Sequence, residues 1–573
     1  MTRNHLMLLL STHGNCFGAT QPLRLSVAPF SSALIFILAI AGCASTPPAE
    51  KKQLRYAEEV LGTNREELEW NFHSLLEYKS NDNNFEAVQE ASENANNDRL
   101  DFCKLPKNKK ASARTEESIA LRGLGLQFPG YLVAIEKTKR GILGLEGGPF
   151  SLCSDEVVTK LFDQSFLQAQ PVNSDNKNSI CFMKRRLDDD RRMFLSHIAS
   201  FQDTTDNGIA GITGRLIYDL YGRNDLLCEI QQAKEKNQLV PYEKGIFRSG
   251  HDEGLLALQK ALEKDISKEQ GLKPYTHLFV YIMGWNTGQA EAIENFNNLF
   301  GYLLDAAGDE KKFKPLFIGI TWPSAWSFGT GAWDNILRGV SFWNKKNDAD
   351  EVGMTWANYL LNDVITSVKR EHPTLRVVLV GHSFGARVAS RTLYSCNLLP
   401  KPESCVKTVD LVIGLQPAFG RSRFGDSFVP KWQEFILVHP MHHEGMPYTD
   451  FSNFRQFSAQ QAYLWSRYDR ATSATAMMGG ANAVERTWEK PDMFEHLPYE
   501  NYKRGPVDPS DTLISEVAKL DANKLGKKIL MMDGSGFIRH DTPYHGGGAH
   551  SDIYNLETGK LTWELVKKFA PTK

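Results

Sequence analysis

The strongest constraint on the fold lies around Ser383. Val377-Val378-Leu379-Val380 is a short apolar run, Gly381-His382-Ser383-Phe384-Gly385 follows at once, and Ala386-Arg387-Val388-Ala389-Ser390 reads as the opening of a helix. A bare GxSxG carries little weight, because glycine is common enough for the pattern to arise by chance in a long chain. The succession of strand, GxSxG and helix carries much more. Turning a strand into a helix over so few residues strains the backbone at the central residue. It also crowds the flanking positions until only glycine fits. Such a turn exposes the Ser383 hydroxyl and aims the Phe384 amide, at the helix N-terminus, toward negative charge developing on a bound carbonyl.

The sequence around this turn has one rhythm. After residue 250, short apolar runs alternate with amphipathic segments, the pattern of a parallel sheet buried between layers of helices. His277 to Met283, Leu316 to Thr321, Arg376 to Val380, Val409 to Leu415, Gln461 to Ser466 and Lys528 to Met532 read as buried strands. Between the second and third, Trp356, Tyr359, Leu360, Val364, Ile365 and Val368 recur at helical spacing on one face. The expected fold class is therefore α/β, an open and mostly parallel sheet with helices on both faces, and its ligands belong at the carboxyl ends of the strands.

From about residue 250 to 573 the chain resembles the α/β-hydrolase superfamily, and within it a little-characterised bacterial branch of serine esterases. Besides the GxSxG, three segments carry the resemblance. Met283-Gly284-Trp285-Asn286 stands where the branch has His-Gly-aromatic-Asn, and Thr321-Trp322-Pro323-Ser324 follows the next strand. Ser466-Arg467-Tyr468-Asp469-Arg470-Ala471 matches Ser-x-x-Asp-x-Ala. The resemblance implies a catalytic Ser383, Asp469 and His550, in the chain order Ser, acid, His. It also implies an oxyanion hole from the Phe384 amide with Trp285 or Asn286. Met283 replaces the usual His, which leaves a backbone role for that loop. The Thr-Trp-Pro-Ser segment brings no assigned chemistry. His540 and His545 lie on the same connection as His550, within which Gly546-Gly547-Gly548 precedes it, and Asp533 and Asp450 are alternative acids. The implied reaction is acyl transfer from an ester to water, without metal or organic cofactor; the same constellation also cleaves amides.

The N-terminus reads as an address. Ala33 to Ala41 is an unbroken apolar core, preceded by Arg24 and too short to span a membrane. Ile40-Ala41-Gly42-Cys43 resembles the lipobox of bacterial lipoproteins, which implies cleavage before Cys43 and lipid attachment to it. Residues 1–42 are then a signal peptide and 43–55 a tether. The residue after the Cys is Ala44, not Asp, and the family's sorting rule reads this as outer membrane, facing the periplasm. No stretch reaches the roughly 18 consecutive apolar residues of a spanning helix.

Residues 56–240 are rich in charge, Asn and Gln, with helical stretches at Leu68 to Tyr78 and Glu156 to Leu167, and read as a mainly helical extension ahead of the hydrolase region, 241–573. With Cys16 in the signal and Cys43 set aside, six cysteines remain, and Cys396 and Cys405 bracket a short loop as the favoured disulfide pair. His439-Pro440-Met441-His442-His443-Glu444 lacks the frame of a metal site and reads as a loop. Trp326, Phe328, Trp333, Phe342 and Trp343 either wall an acyl-binding cleft, suiting a lipid-like ester, or form the buried face of a cap. The chain carries 66 Lys+Arg against 68 Asp+Glu, and that balance argues against nucleic acid as a partner. Two function classes follow: a membrane-tethered ester hydrolase, or a non-catalytic envelope lipoprotein that keeps the fold as a binding module.

Overall fold

The structure is a computed structural model, and it describes residues 125–137, 193–206, 209–219, 249–267, 274–285, 287, 289–322, 324, 345, 348–395, 407–419, 457–473, 494–497, 510–540 and 548–572. Its centre is a ten-stranded sheet. In chain order the strands are β1 (Gly130–Lys137), β2 (Met193–Asp206), β3 (Ile209–Asp219), β4 (His277–Ile282), β5 (Pro315–Thr321), β6 (Arg376–His382), β7 (Leu411–Leu415), β8 (Gln460–Trp465), β9 (Phe494–Leu497) and β10 (Ile529–Asp533). Across the sheet they run β3-β2-β1-β5-β4-β6-β7-β8-β10-β9. The pairings of β2 with β1 and β3 are antiparallel, and every pairing from β1 to β9 is parallel.

The six strands read from the sequence are β4, β5, β6, β7, β8 and β10. Each is apolar along most of its length because both faces are covered, and every residue of β4, β7, β8 and β10 is buried. Parallel strands need crossovers, and helices supply them. They are α1 (Leu256–Ile266), α2 (Gln289–Ala307), α3 (356–371), α4 (Phe384–Tyr394), α5 (Arg470–Ser473), α6 (Ser510–Lys519), α7 (Ala522–Leu525) and α8 (Leu556–Phe569). The apolar face expected between β5 and β6 is that of α3. Trp356, Leu360, Val364, Ile365 and Val368 are buried there, and a π segment at Leu360–Ile365 interrupts the α-helix.

Most of residues 56–240, expected as a mainly helical extension, lie outside the described residues. The region's described residues include β1, β2 and β3, and these extend the sheet beyond β5. Polar side chains are buried within the strands, which breaks the apolar alternation a strand normally shows. Ser196 Oγ donates to the Ala134 carbonyl at 3.2 Å. Tyr131 Oη donates to Asp265 Oδ2 at 2.5 Å, and Gln202 Nε2 donates to the same oxygen at 2.6 Å. Trp356 Nε1 donates to the Met193 carbonyl at 3.0 Å, and Met193 N donates to Glu351 Oε1 at 2.9 Å. These bonds reach α1, α3 and the chain just before α3, so the added strands are covered by the same helices as the rest. The helical stretches expected at 68–78 and 156–167, Cys43 with its signal and tether, and the Cys396–Cys405 pair lie outside the described residues. Among the described residues no helix is long and apolar enough to cross a membrane.

The C-terminal helix is stitched to the amino end of the sheet. His277, at the start of β4, donates from Nε2 to the Ala570 carbonyl at 2.8 Å, and its Nδ1 lies 2.9 Å from Thr276 Oγ1. Arg376, at the start of β6, donates from Nε to the Pro571 carbonyl at 2.8 Å. Burial pushes the His277 imidazole down from 6.5 to about 4, against the opposing pull of the Ala570 carbonyl. The unfolded chain therefore takes up a proton between these values that the folded chain refuses. Stability is fully present above pH 6.5 and falls as the pH drops toward 4, by about 3 kcal/mol from this group alone. His277→Gln keeps a donor for Ala570 and removes the titration. Urea unfolding of both chains at pH 7 and pH 4 is expected to show a smaller acid loss in the variant, and equal losses refute the assignment.

Candidate active site

The strand order reverses at β4: the chain passes from β4 to β5 on one side and then returns to β6 on the other. Loops leaving adjacent strands in opposite directions open a crevice at the carboxyl ends. Ser383 and the Met283–Trp285 segment both sit at this crevice. Ser383 has φ 56° and ψ −120°, between β6 and α4. A side chain on Gly381 would collide with the Gly385 carbonyl, and one on Gly385 with the carbonyl of Ile282 at the end of β4. The two glycines thus permit the helix to start against the neighbouring strand, and the serine between them takes up the strain. Ser383 N donates to the Leu415 carbonyl at 2.9 Å, and the Ser383 carbonyl accepts from Ala386 N and Ala418 N, both at 3.1 Å. Phe384 is fully buried at the first position of α4, with its ring centroid 6.0 Å from that of Trp285. A Cβ built on Gly284 lies 3.1 Å from the Ser383 Cβ, which puts the segment after β4 directly beside the serine.

Asp469 and His550 meet. The Asp469 side chain is fully buried, and His550 Nδ1 donates to its Oδ2 at 2.9 Å. Asp469 Oδ1 accepts from Thr472 N at 3.0 Å and Oδ2 from Thr472 Oγ1 at 2.5 Å. The second ring nitrogen of His550, Nε2, is left as the acceptor. His550 lies in a short 3₁₀ turn, Ala549–Ser551. That turn is fixed by Ala549 N to the Tyr468 carbonyl at 3.0 Å, and Gly548 before it, at φ 65°, lies too close to that carbonyl for a side chain.

The alternative acids and bases have other partners. His540 Nδ1 and both the Arg539 and His540 amides bond Asp552 Oδ2 at 2.9 Å. Asp533 Oδ1 accepts from Ser535 N and Oγ, and Asp533 Oδ2 lies 3.8 Å from Arg467 Nη2. Asn286, His545, Asp450, the 439–444 loop and the aromatic residues 326–343 lie outside the described residues.

Two residues that the sequence reading did not single out hold the site together. His382, inside the GxSxG itself, donates from Nε2 to the His550 carbonyl at 2.9 Å, with the two imidazole centroids 4.8 Å apart. Its Nδ1 lies 3.4 Å from Tyr554 Oη, which lies 3.4 Å from Tyr281 Oη. Burial pushes both phenols up, so both stay protonated. Gln416, after β7, has φ 47° and accepts from Ser466 N through Oε1 at 3.0 Å. Ser466 Oγ in turn accepts from Tyr468 N at 3.1 Å and donates to the Ile538 carbonyl. The turn that delivers Asp469 is thereby tied to β7 and to the segment after β10.

A family described as "Alpha/beta hydrolase of unknown function (DUF900)" matches residues 256–486. The chain contains an α/β-hydrolase-fold domain. The match takes in Ser383 and Asp469, while His550 and β1 to β3 lie beyond it. A solved structure of a thermostable esterase from Pseudomonas putida shares 11% identity with a TM-score of 0.22, over 60% of this chain and 97% of the esterase. No curated protein matches. Among the described residues no group of three or more His, Cys, Asp or Glu is placed to hold a metal ion.

The strain at Ser383 is measurable. Ser383→Gly relieves a backbone conformation that costs about 1–3 kcal/mol and gives back part of this as glycine entropy, so a net gain of about 1 kcal/mol in urea unfolding is expected. Gly385→Ala, pressing a methyl into the Ile282 carbonyl, is expected to lose more than about 2 kcal/mol. A neutral or destabilising Ser383→Gly contradicts the reading.

Proposed function

We propose that the chain is a serine hydrolase of carboxylic esters, working through an acyl-enzyme on Ser383. The observation that carries this reading is the bond from His382 to the His550 carbonyl. It ties the Asp469–His550 pair to the residue immediately before a serine held at a strained strand-to-helix turn. The mechanism follows from the residue chemistry. His550 Nε2 takes the Ser383 hydroxyl proton as Oγ adds to the ester carbonyl carbon, and the carbonyl electron pair moves to oxygen. Collapse expels the alcohol, which leaves with the proton from the imidazolium, and water repeats the sequence on the acyl-serine. Asp469 fixes the His550 tautomer and stabilises the imidazolium. The Phe384 amide and the Trp285–Asn286 segment would receive the oxyanion. In this reading Cys43 is the lipidated N-terminus that tethers the enzyme to the envelope, and the aromatic residues 326–343 lie in the insert after β5, where an acyl chain would be received.

The test is fluorophosphonate labelling with peptide mapping, alongside turnover of p-nitrophenyl esters of graded chain length. Label confined to Ser383, lost together with turnover in Ser383→Ala at a melting temperature no lower than that of the wild type, is the expected result. Asp469→Asn is expected to lower kcat by about 10⁴-fold with the fold retained. A folded wild-type chain that neither labels nor turns over an ester of any length sinks the proposal.

A further inference from the structure

The Thr321-Trp322-Pro323-Ser324 segment has no part in the chemistry above, yet the structure ties it to the loop beside Ser383. β4 and β5 are parallel neighbours in register at Ile282 and Ile320, so the residues that leave their ends lie side by side. Met283 N donates to the Ile320 carbonyl at 3.3 Å, the last rung of the ladder. Beyond it, side chains from the β5 exit take over. Trp322 is fully buried, and its Nε1 donates to the Met283 carbonyl at 2.9 Å. Ser324, also fully buried, engages Thr287 in both directions: Oγ donates to the Thr287 carbonyl at 2.9 Å and accepts from Thr287 N at 3.2 Å. Thr287 Oγ1 donates to the Trp285 carbonyl at 3.3 Å.

A peptide unit is planar, so fixing a carbonyl fixes the direction of the amide N–H on the next residue. Trp322 therefore sets the Met283–Gly284 peptide plane, and Ser324, through Thr287, sets the far end of the same loop. Gly284 is the residue that abuts Ser383. Donors to an oxyanion act only when aimed at its position in advance, and a flipped peptide presents a carbonyl instead.

We propose that Trp322 and Ser324 are positioning residues, a two-point clamp that holds Met283, Gly284, Trp285 and Thr287 in the orientation that receives the oxyanion. The proposal rests on Ser383 being the nucleophile. It accounts for indole and hydroxyl at this spacing: the indole reaches across one strand separation to the near end of the loop, and the hydroxyl both donates and accepts at the far end. Met283 fits this role, because its backbone carbonyl is what the clamp grips.

Trp322→Phe keeps the ring bulk and deletes the donor, and Ser324→Ala deletes both bonds to Thr287 with little change in volume. Each is expected to lower kcat on a p-nitrophenyl ester by about 10- to 100-fold with KM within about twofold, short of the 100- to 1000-fold that follows outright loss of an oxyanion donor. Hydrogen exchange read by mass spectrometry supplies a second measure. Amides in the peptide covering 283–287 should exchange about tenfold faster in either variant, while those of β6 and α8 keep their wild-type rates. Unchanged exchange at 283–287 overturns the clamp. Faster exchange with unchanged kcat overturns its catalytic role. The two readings fail separately: a wild-type chain without turnover removes the hydrolase proposal, whereas exchange decides whether the clamp exists.

Discussion

The close approach of α4 to the end of β4 governs the rest of the site. Gly385 lies against the Ile282 carbonyl with no room for a side chain, so the helix after β6 begins in contact with the neighbouring strand. That contact leaves too little chain for a relaxed turn, and Ser383 is held at φ 56° as a result. It also brings Gly284, two residues past Ile282, within van der Waals range of the serine. One packing constraint thus sets both the strained residue and its neighbour across the crevice. The surrounding hydrophobic sheet supplies the stability that keeps such strain in place.

Backbone carbonyls are the other recurring element. At the strand ends several side chains reach a carbonyl on a different segment. Trp322 reaches Met283, His382 reaches His550, and Ser466 reaches Ile538. Each bond satisfies a polar group that burial would otherwise penalise and also fixes a peptide plane. The Asp469–His550 pair is set at the meeting of two such loops, those after β8 and after β10, and the β8 loop is itself anchored to β7 by Gln416.

The sequence was most legible where burial was complete. β4, β5, β6, β7, β8 and β10 are short, mostly apolar runs because both faces are buried, with polar residues such as His277, Gln461 and Asp533 kept to their ends, and the Gly381–Gly385 spacing revealed the turn because only glycine fits there. β1 to β3 escaped notice for the opposite reason. Ser196, His197 and Ser200 are buried in β2, and Ser196 is satisfied by the Ala134 carbonyl on β1, a partner distant in sequence that no local pattern displays. The resemblance led to Asp469 and His550, but the support around them was not readable. His382 looked like the variable position of a motif, and Gln416 and Tyr554 carried no local signature, because their roles depend on contacts with residues far along the chain. The interruption of α3 at Leu360–Ile365 was equally silent, since a π segment keeps the same residues buried.

The stitching of α8 to the amino end of the sheet bears on the order in which the site is assembled. His550 lies between β10 and α8, and the chain at the end of α8 bonds His277 and Arg376, at the starts of β4 and β6, through the Ala570 and Pro571 carbonyls. During synthesis Ser383 and Asp469 leave the ribosome well before this closing segment. The Asp469–His550 pair therefore cannot form until the residues just ahead of α8 have been made, well after the turn that carries Ser383.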